Sequence, residues 1–276
     1  YYKSFMNLIK NAVNWIPWRI FIDIEGFYRG NDIKNILKKF NSPLIVIDPV
    51  DRNRNAAAAV SLEKLLEFKT ACKFFLKNPS LSFFFPKPIS PITLKEFKEI
   101  RSHRNTHIVC ILLHIKNISP DIIWGIGLKI AKKMRNILEK NDFKILDVGV
   151  WTDEKKILTI LFESENICLS NVKKHIGPPV GSSNEMDFIK KYFNMGNIVA
   201  GPYIEGRRWI VYKPRKYTKI NDLIMDKLGQ IGSIEKILER SEITVFFDED
   251  IFNIKTPSFL IYLKKWIIKK YKWIKI

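Results

Sequence analysis

The unbroken apolar run Ile108-Val109-Cys110-Ile111-Leu112-Leu113 constrains this chain more than any other feature. It is far short of the ~20 apolar residues that a membrane span needs. Its β-branched content reads as a buried strand over His107–Ile115. The segments downstream of it set the topology. Asp121–Lys140 carries a helical pattern, and Lys144–Thr152 and Lys156–Glu163 read as strands around the turn Asp153-Glu154-Lys155. Asn184–Tyr192 reads as a short helix, and Asn197–Tyr203 with Trp209–Lys213 as a hairpin across Glu205-Gly206-Arg207. A helix is expected near Asn221–Leu228. The order strand, helix, strand, strand, helix, strand, strand is close to the split-βαβ, ferredoxin-like arrangement with one extra strand. Gly177-Pro178-Pro179-Val180 is expected to be a stiff corner.

The residues before the run differ. Phe5, Leu8, Ile9, Ala12, Val13 and Ile16 follow a one-faced helical period, which Pro17 ends. Two short β-type runs, Arg19–Ile24 and Pro43–Ile47, flank an amphipathic Lys/Asn-rich piece. Ser61 can cap a helix through Phe68, Cys72 and Phe75, and Asn78-Pro79-Ser80 stops it. A helical piece over Leu94–Ile100 comes after a proline-marked loop. The last helical stretch is Phe259–Ile274. The expected architecture is α+β: a helical domain over 1–105, a ferredoxin-like domain over 106–228, and a C-terminal segment, 229–276, returning to the first domain.

Charge narrows the partners. Lys+Arg 47 against Asp+Glu 28 gives +19, a surplus that points to a polyanion: nucleic acid or an acidic membrane surface. Cys72, Cys110 and Cys168 are too few and too scattered for a disulfide framework or a thiolate zinc site, and fit buried thiols in a reducing cytoplasm. His103, His107, His114 and His175 have no metal-ligand spacing. The C-terminal Lys264–Ile276 holds six lysines and no acid. Alone it reads as an interfacial amphipathic helix, but its spacing Leu263, Trp266, Ile267, Tyr271 is also that of a helix docked on a core with its lysines facing RNA. Docking is the expectation, with no membrane partner.

A longer pattern lies upstream. Ile45-Val46-Ile47-Asp48-Pro49-Val50-Asp51-Arg52-Asn53-Arg54-Asn55-Ala56-Ala57-Ala58-Ala59-Val60-Ser61 resembles the hydrophobic strand and DPVDPxRNVAAALS signature of archaeal-type (class I) CCA-adding enzymes, the tRNA nucleotidyltransferases. Phe74–Ser80 and Phe83–Pro86 are similar to the continuation FLxxPS…FFxP. His175–Val180, Gly201–Trp209 and Tyr1–Phe5 give further matches in family order. Arg52 departs from the family's proline, Ala56 from valine and Lys3 from glycine. The resemblance spans nearly the whole chain.

It implies a helical body, similar to the substrate-binding domain of poly(A) polymerases, and a ferredoxin-like tail. The family adds C, C and A from CTP and ATP to the tRNA 3′ end without a template. Its Mg²⁺ is held by a catalytic head with a GS-type loop and paired carboxylates. No such pattern stands in this sequence, which opens Tyr1-Tyr2-Lys3 without Met, so a fragment or split-gene product is expected, inactive alone. Phe246-Phe247-Asp248-Glu249-Asp250 reads as a decoy of solvated loop acids. Expected partners are the tRNA acceptor and TΨC region, CTP/ATP, the catalytic head and, for oligomers, a homodimer. A stand-alone non-catalytic RNA-binding module is the alternative, and a peripheral membrane protein a third.

Two sets of site residues are expected. Asp51, Arg54 and Asn55 are assigned to the nucleotide. For the aspartates and Asn55 a plain turn-and-cap role stands beside this. The resemblance implies that Arg54, a planar fork of donors, lies near the incoming base. For tRNA, the basic clusters Arg101, His103, Arg104 and Lys173, Lys174, His175 are assigned, with Tyr203, Arg207, Arg208, Lys213, Arg215 and Lys216 of the hairpin region. Cations for phosphate interleaved with aromatics for sugar or base are what RNA surfaces use.

Overall fold

A computed structural model describes residues 1–116, 119–231, 238–271, 273 and 274, with 238–242 as backbone only. The chain divides into two units, Tyr1–Ile89 with Lys269–Ile276, and Ser90–Ile268.

In the first unit, α1 (Phe5–Ala12) starts where Ser4 Oγ accepts the Asn7 N–H at 3.1 Å. Strand β1 (Ile20–Ile22) runs parallel to β2 (Leu44–Val46), and the crossover that a parallel pair requires is α2 (Asn31–Phe40). Helix α3 (Leu62–Lys77) begins at Ser61, whose Oγ accepts the Lys64 N–H. Ile9 and Ala12 of α1 pack on Cys72 and Phe75 of α3. Tyr271 donates its hydroxyl to Glu67 at 2.8 Å, and the Trp273 ring sits 5.5 Å from Phe74.

The second unit begins with α4 (Leu94–Arg104), opened by a Thr93/Glu96 capping box. Then come β3 (His107–Ile115), α5 (Pro120–Lys140), β4 (Ile145–Thr152) and β5 (Ile157–Ser164). Next are β6 (Val172–Pro179), α6 (Glu185–Phe193), β7 (Ala200–Glu205) and β8 (Arg208–Pro214). The unit ends with α7 (Ile220–Leu228), β9 (Leu238–Phe247) and α8 (Pro257–Ile268). The main sheet has the order β4-β5-β3-β9. With α5 and α7 as its helices, this is the ferredoxin-like plan.

The expected plan survives with different members. Its fourth strand is β9, paired antiparallel to β3 from Val109↔Phe247 onward, and not the hairpin β7–β8. Segment 172–214 is an insertion between β5 and α7 that builds its own sheet, order β6-β8-β7. Gly177-Pro178-Pro179 is the end of strand β6, with an irregularity between Ile176 and Pro179, and not a break between elements.

Both faces of the main sheet are covered. Val109, Ile111, Leu113 and Ile115 face Ile130, Met134, Leu223 and Leu228. Ile108 and Cys110 face Phe97, Phe259, Leu263 and Ile267. That two-sided burial is why β3 is apolar without a break from Ile108 to Leu113 rather than alternating. It also moves the unit boundary away from 105 and 228: Phe97 of α4 and all of α8 belong to the second core. Helix α8 docks as expected, but on the second unit. Lys264 is turned inward to Glu96 at 2.8 Å rather than outward.

Candidate nucleic-acid interface

The turn after β2 is built by side chains. Asp48 Oδ1 accepts the Val50 N–H at 2.8 Å, and Asp51 Oδ1 accepts the Asn53 N–H at 2.9 Å. Asn55, 5% exposed, accepts the N–H of Val46 and of Ala57, each at 2.9 Å, and donates to the Leu44 carbonyl at 3.1 Å. Its amide oxygen therefore has both lone pairs engaged inside the protein. Arg54 is the opposite. Its side chain is 71% exposed and lies 3.6 Å from Asp48. The Asp48 carboxyl is held below the usual range first by the Val50 N–H and least by Arg54. Of the three residues assigned to the nucleotide, Arg54 and Asp51 are exposed, Asp51 closing a turn through one oxygen, and Asn55 is a buried latch.

The basic clusters divide the same way. Arg104 lays Nη1 3.1 Å from both oxygens of Glu163, which is 4% exposed, and Glu163 also takes the Thr106 hydroxyl at 2.9 Å. Arg101 reaches Glu249 at 2.9 Å and Asp248 at 3.5 Å. Asp248 also accepts the Ile108 N–H and faces His107 Nδ1, each at 2.9 Å. Asp248 and Glu249 are thus the counterions of α4 and β3, not solvated loop acids, and Arg101 and Arg104, though partly exposed, are each paired with a carboxylate of this chain. His103 remains exposed on α4.

Lys173 and Arg215 both close on Asp142, the first at 2.7 Å. Asp142 comes just after α5, so these two cations fasten the inserted sheet to the main one. Burial raises the Asp142 carboxyl, but Lys173 and Arg215 outweigh it and its pKa is lowered. His175 stacks on Phe188 at 5.9 Å and meets Tyr192 at 5.5 Å. Burial, then Lys213, Lys173 and Lys191, push its pKa down, and its ring packs on α6.

Alternation along the inserted sheet explains what remains. His175, Trp209 and Val211 point to the face that α6 covers; the Trp209 Nε1–H reaches Glu185 at 2.6 Å. Lys174, Ile176, Tyr203, Glu205, Arg208, Ile210 and Tyr212 share the other face. No helix covers that face among the described residues, and Ile176 there is 59% exposed. The Tyr203 and Tyr212 rings lie parallel, 1° apart in plane and 6.5 Å between centroids. Arg207 is exposed in the turn, and Arg208 donates to the Gly177 carbonyl at 2.9 Å. Lys216 stays 73% exposed, 4.9 Å over Tyr217 and 3.6 Å from Asp226. Lys213 is half-buried. Sequence reasoning missed Ile176 as part of this face and Asp142 as the counterion. The period-2 pattern Lys174, Ile176 against Lys173, His175 carried the first signal; the second had none, since Asp142 is remote in sequence from its partners.

Among the described residues no group of three or more His, Cys, Asp or Glu converges as metal ligands, and no helix is long and apolar enough to cross a membrane. Residues 104–246 match the family model of the CCA-adding enzyme C-terminal domain, and residues 1–85 that of the tRNA nucleotidyltransferase second domain. The first match runs from the end of α4 into β9 and contains all of the main sheet but Phe247. The chain is 32% identical over 269 residues to a CCA-adding enzyme of Methanosarcina acetivorans, covering 97% of this chain and 57% of that protein. It is 37% identical over 229 residues to that of Pyrobaculum neutrophilum, 83% of this chain and 50% of the relative. For Picrophilus torridus the values are 34%, 82% and 51%. The chain spans about half the length of these curated relatives. With both family models matched in order, over the two units that the fold itself separates, the chain belongs to the CCA-adding enzyme family.

Proposed function

We propose that this chain supplies the tRNA-holding surface and part of the nucleotide pocket of a CCA-adding enzyme, which extends the tRNA 3′ end with C, C and A from CTP and ATP. The observation that carries this reading is the uncovered face of the inserted sheet, where cations and parallel tyrosines stand together in a chain of net charge +19. Such a face suits the backbone and shape of a folded RNA: cations meet phosphates and flat rings border sugars or bases. The acceptor and TΨC half of tRNA is the assigned ligand. In the first unit Arg54 is the group offered to the nucleotide base. A guanidinium on a turn fixed by Asp48, Asp51 and Asn55 holds its donor fork at a defined angle, which is what reading a base edge requires. Phosphoryl transfer with Mg²⁺ is assigned to a catalytic head, as the family resemblance implies. The role of this chain is to bind and orient.

The test is a salt titration of tRNA binding. Replacing Arg207 and Arg208 with Ala should weaken binding to different tRNAs to a similar degree. It should lower the slope of log K against log salt by roughly 1 to 2, about 0.9 for each phosphate no longer neutralised. Unchanged affinity and slope would remove this face from the tRNA surface.

A further inference from the structure

The uncovered face carries one acid, Glu205, and its two oxygens go to two different groups. Oε1 pairs with the Lys174 ammonium, and Oε2 accepts the Tyr203 hydroxyl at 2.9 Å. Lys174 lies on β6 and Glu205 on β7, the outer strands of the sheet, so the pair crosses the face. Ile210 of the middle strand, on the same face, is 3% exposed. The Glu205 side chain is itself 52% exposed. Lys174, then Tyr203, hold its carboxyl below the usual range, so it is ionised at neutral pH. Desolvation, then the neighbouring carboxylate, push the Tyr203 phenol up to about 12, which keeps it a donor. An anion that accepts from a cation on one oxygen and from a hydroxyl on the other has the acceptor pattern of the two non-bridging oxygens of a phosphodiester.

We propose that Lys174 and Tyr203 form a seat for one RNA backbone phosphate, that Glu205 occupies it in the free protein, and that binding displaces Glu205 into solvent. The proposal rests on the reading of this face as the tRNA surface and adds to it a named subsite and an internal competitor. The displacement is easy because an exposed ion pair is a weak one. The Tyr203 and Tyr212 rings beside the seat would border the adjoining sugar or base. Glu205 thereby lowers the affinity of this face for polyanions in general, and a ligand overcomes it only by presenting a phosphate at the seat.

The experiment measures binding of a tRNA transcript lacking its CCA end to the 276-residue chain, over a range of salt, for the parent, Glu205→Gln, Lys174→Ala and the double variant. Glu205→Gln should bind about two- to fivefold tighter, the equilibrium worth of one exposed ion pair, with the salt slope unchanged because the same phosphate meets Lys174 in both proteins, whereas Lys174→Ala should lower that slope by about 0.9. On the Lys174→Ala background the gain should vanish. Tyr203→Phe, which removes only the hydroxyl, should weaken binding without altering the far-ultraviolet circular dichroism. Unchanged or weaker binding by Glu205→Gln overturns the seat. So does a gain that persists in full without Lys174, since that is a through-space charge effect. Both outcomes leave the tRNA surface standing if the parent binds; a parent that does not bind tRNA at all overturns both readings.

Discussion

Replacing Asn55 with Ala separates latch from ligand binding. The truncation leaves two backbone N–H groups, Val46 and Ala57, without their side-chain partner at a site 5% exposed, and leaves the Leu44 carbonyl with the Ser42 hydroxyl as its side-chain donor. Each buried group left unpaired costs about 1–3 kcal/mol, and relaxation recovers part of it, so the net loss is about 2–4 kcal/mol. The loss should be local, because β1 and β2 form only a two-stranded sheet, and the Asp48 and Asp51 contacts hold the tip of the turn rather than its join to β2. Native-state hydrogen exchange reads it best. The Ile47 N–H, bonded to the Ile22 carbonyl, and the Ala56 N–H, bonded to the Val46 carbonyl, each at 2.8 Å, keep their own partners in the variant. Their exchange should accelerate about 30- to 1,000-fold, the range that 2–4 kcal/mol of local opening implies. Arg54→Ala should leave the same amides within about 0.5 kcal/mol of the parent. In the complete enzyme, by contrast, it should cost about 1–3 kcal/mol of discrimination between CTP and ATP. If Asn55→Ala leaves Ile47 and Ala56 exchange within about threefold of the parent, well below the opening cost above, the latch argument is wrong.

Arg104→Ala strands Glu163 with only the Thr106 hydroxyl; removing one partner of a buried pair costs about 3–5 kcal/mol, and the lower end applies because Arg104 is a third exposed. A melting-temperature change smaller than an exposed ion pair gives would refute its role as partner of Glu163. Asp142 gives a pH signature. Its folded pKa is depressed, so its contribution is present above the unfolded value near 3.9 and lost as pH falls through the lower folded value. Asp142→Asn should lower stability at pH 7 and lose less on acidification below about pH 4 than the parent does; parallel acid limbs would sink this. Gly149→Ala would place a Cβ 2.9 Å from both Trp266 Nε1 and the Tyr262 hydroxyl. Overpacking of this kind costs about 1–3 kcal/mol, and it should loosen α8 from β4, read as faster exchange of the Val150 N–H that Tyr262 accepts.

Much of the molecule was legible in one dimension. The helix of residues 62–77 announces itself by Ser61 and its apolar spacing, and β3 by a run too apolar and too short for anything but a buried strand. The signature from Ile45 to Ser61, with the similar stretches after it, was enough to place the family, because local turn chemistry needs its residues adjacent. What needed tertiary structure were the pairings across long sequence separations. That β9 completes the sheet depends on Val109 meeting Phe247, and the hairpin β7–β8 offered an equally plausible strand in sequence. The fate of the cations was decided the same way. Arg104, Lys173 and Arg215 are the same chemical groups as Arg207 or Lys216 when read along the chain. Only folding brings Glu163 or Asp142 within reach of the first three and leaves the others facing water, and an arginine's role is set by the nearest carboxylate in space, not in sequence.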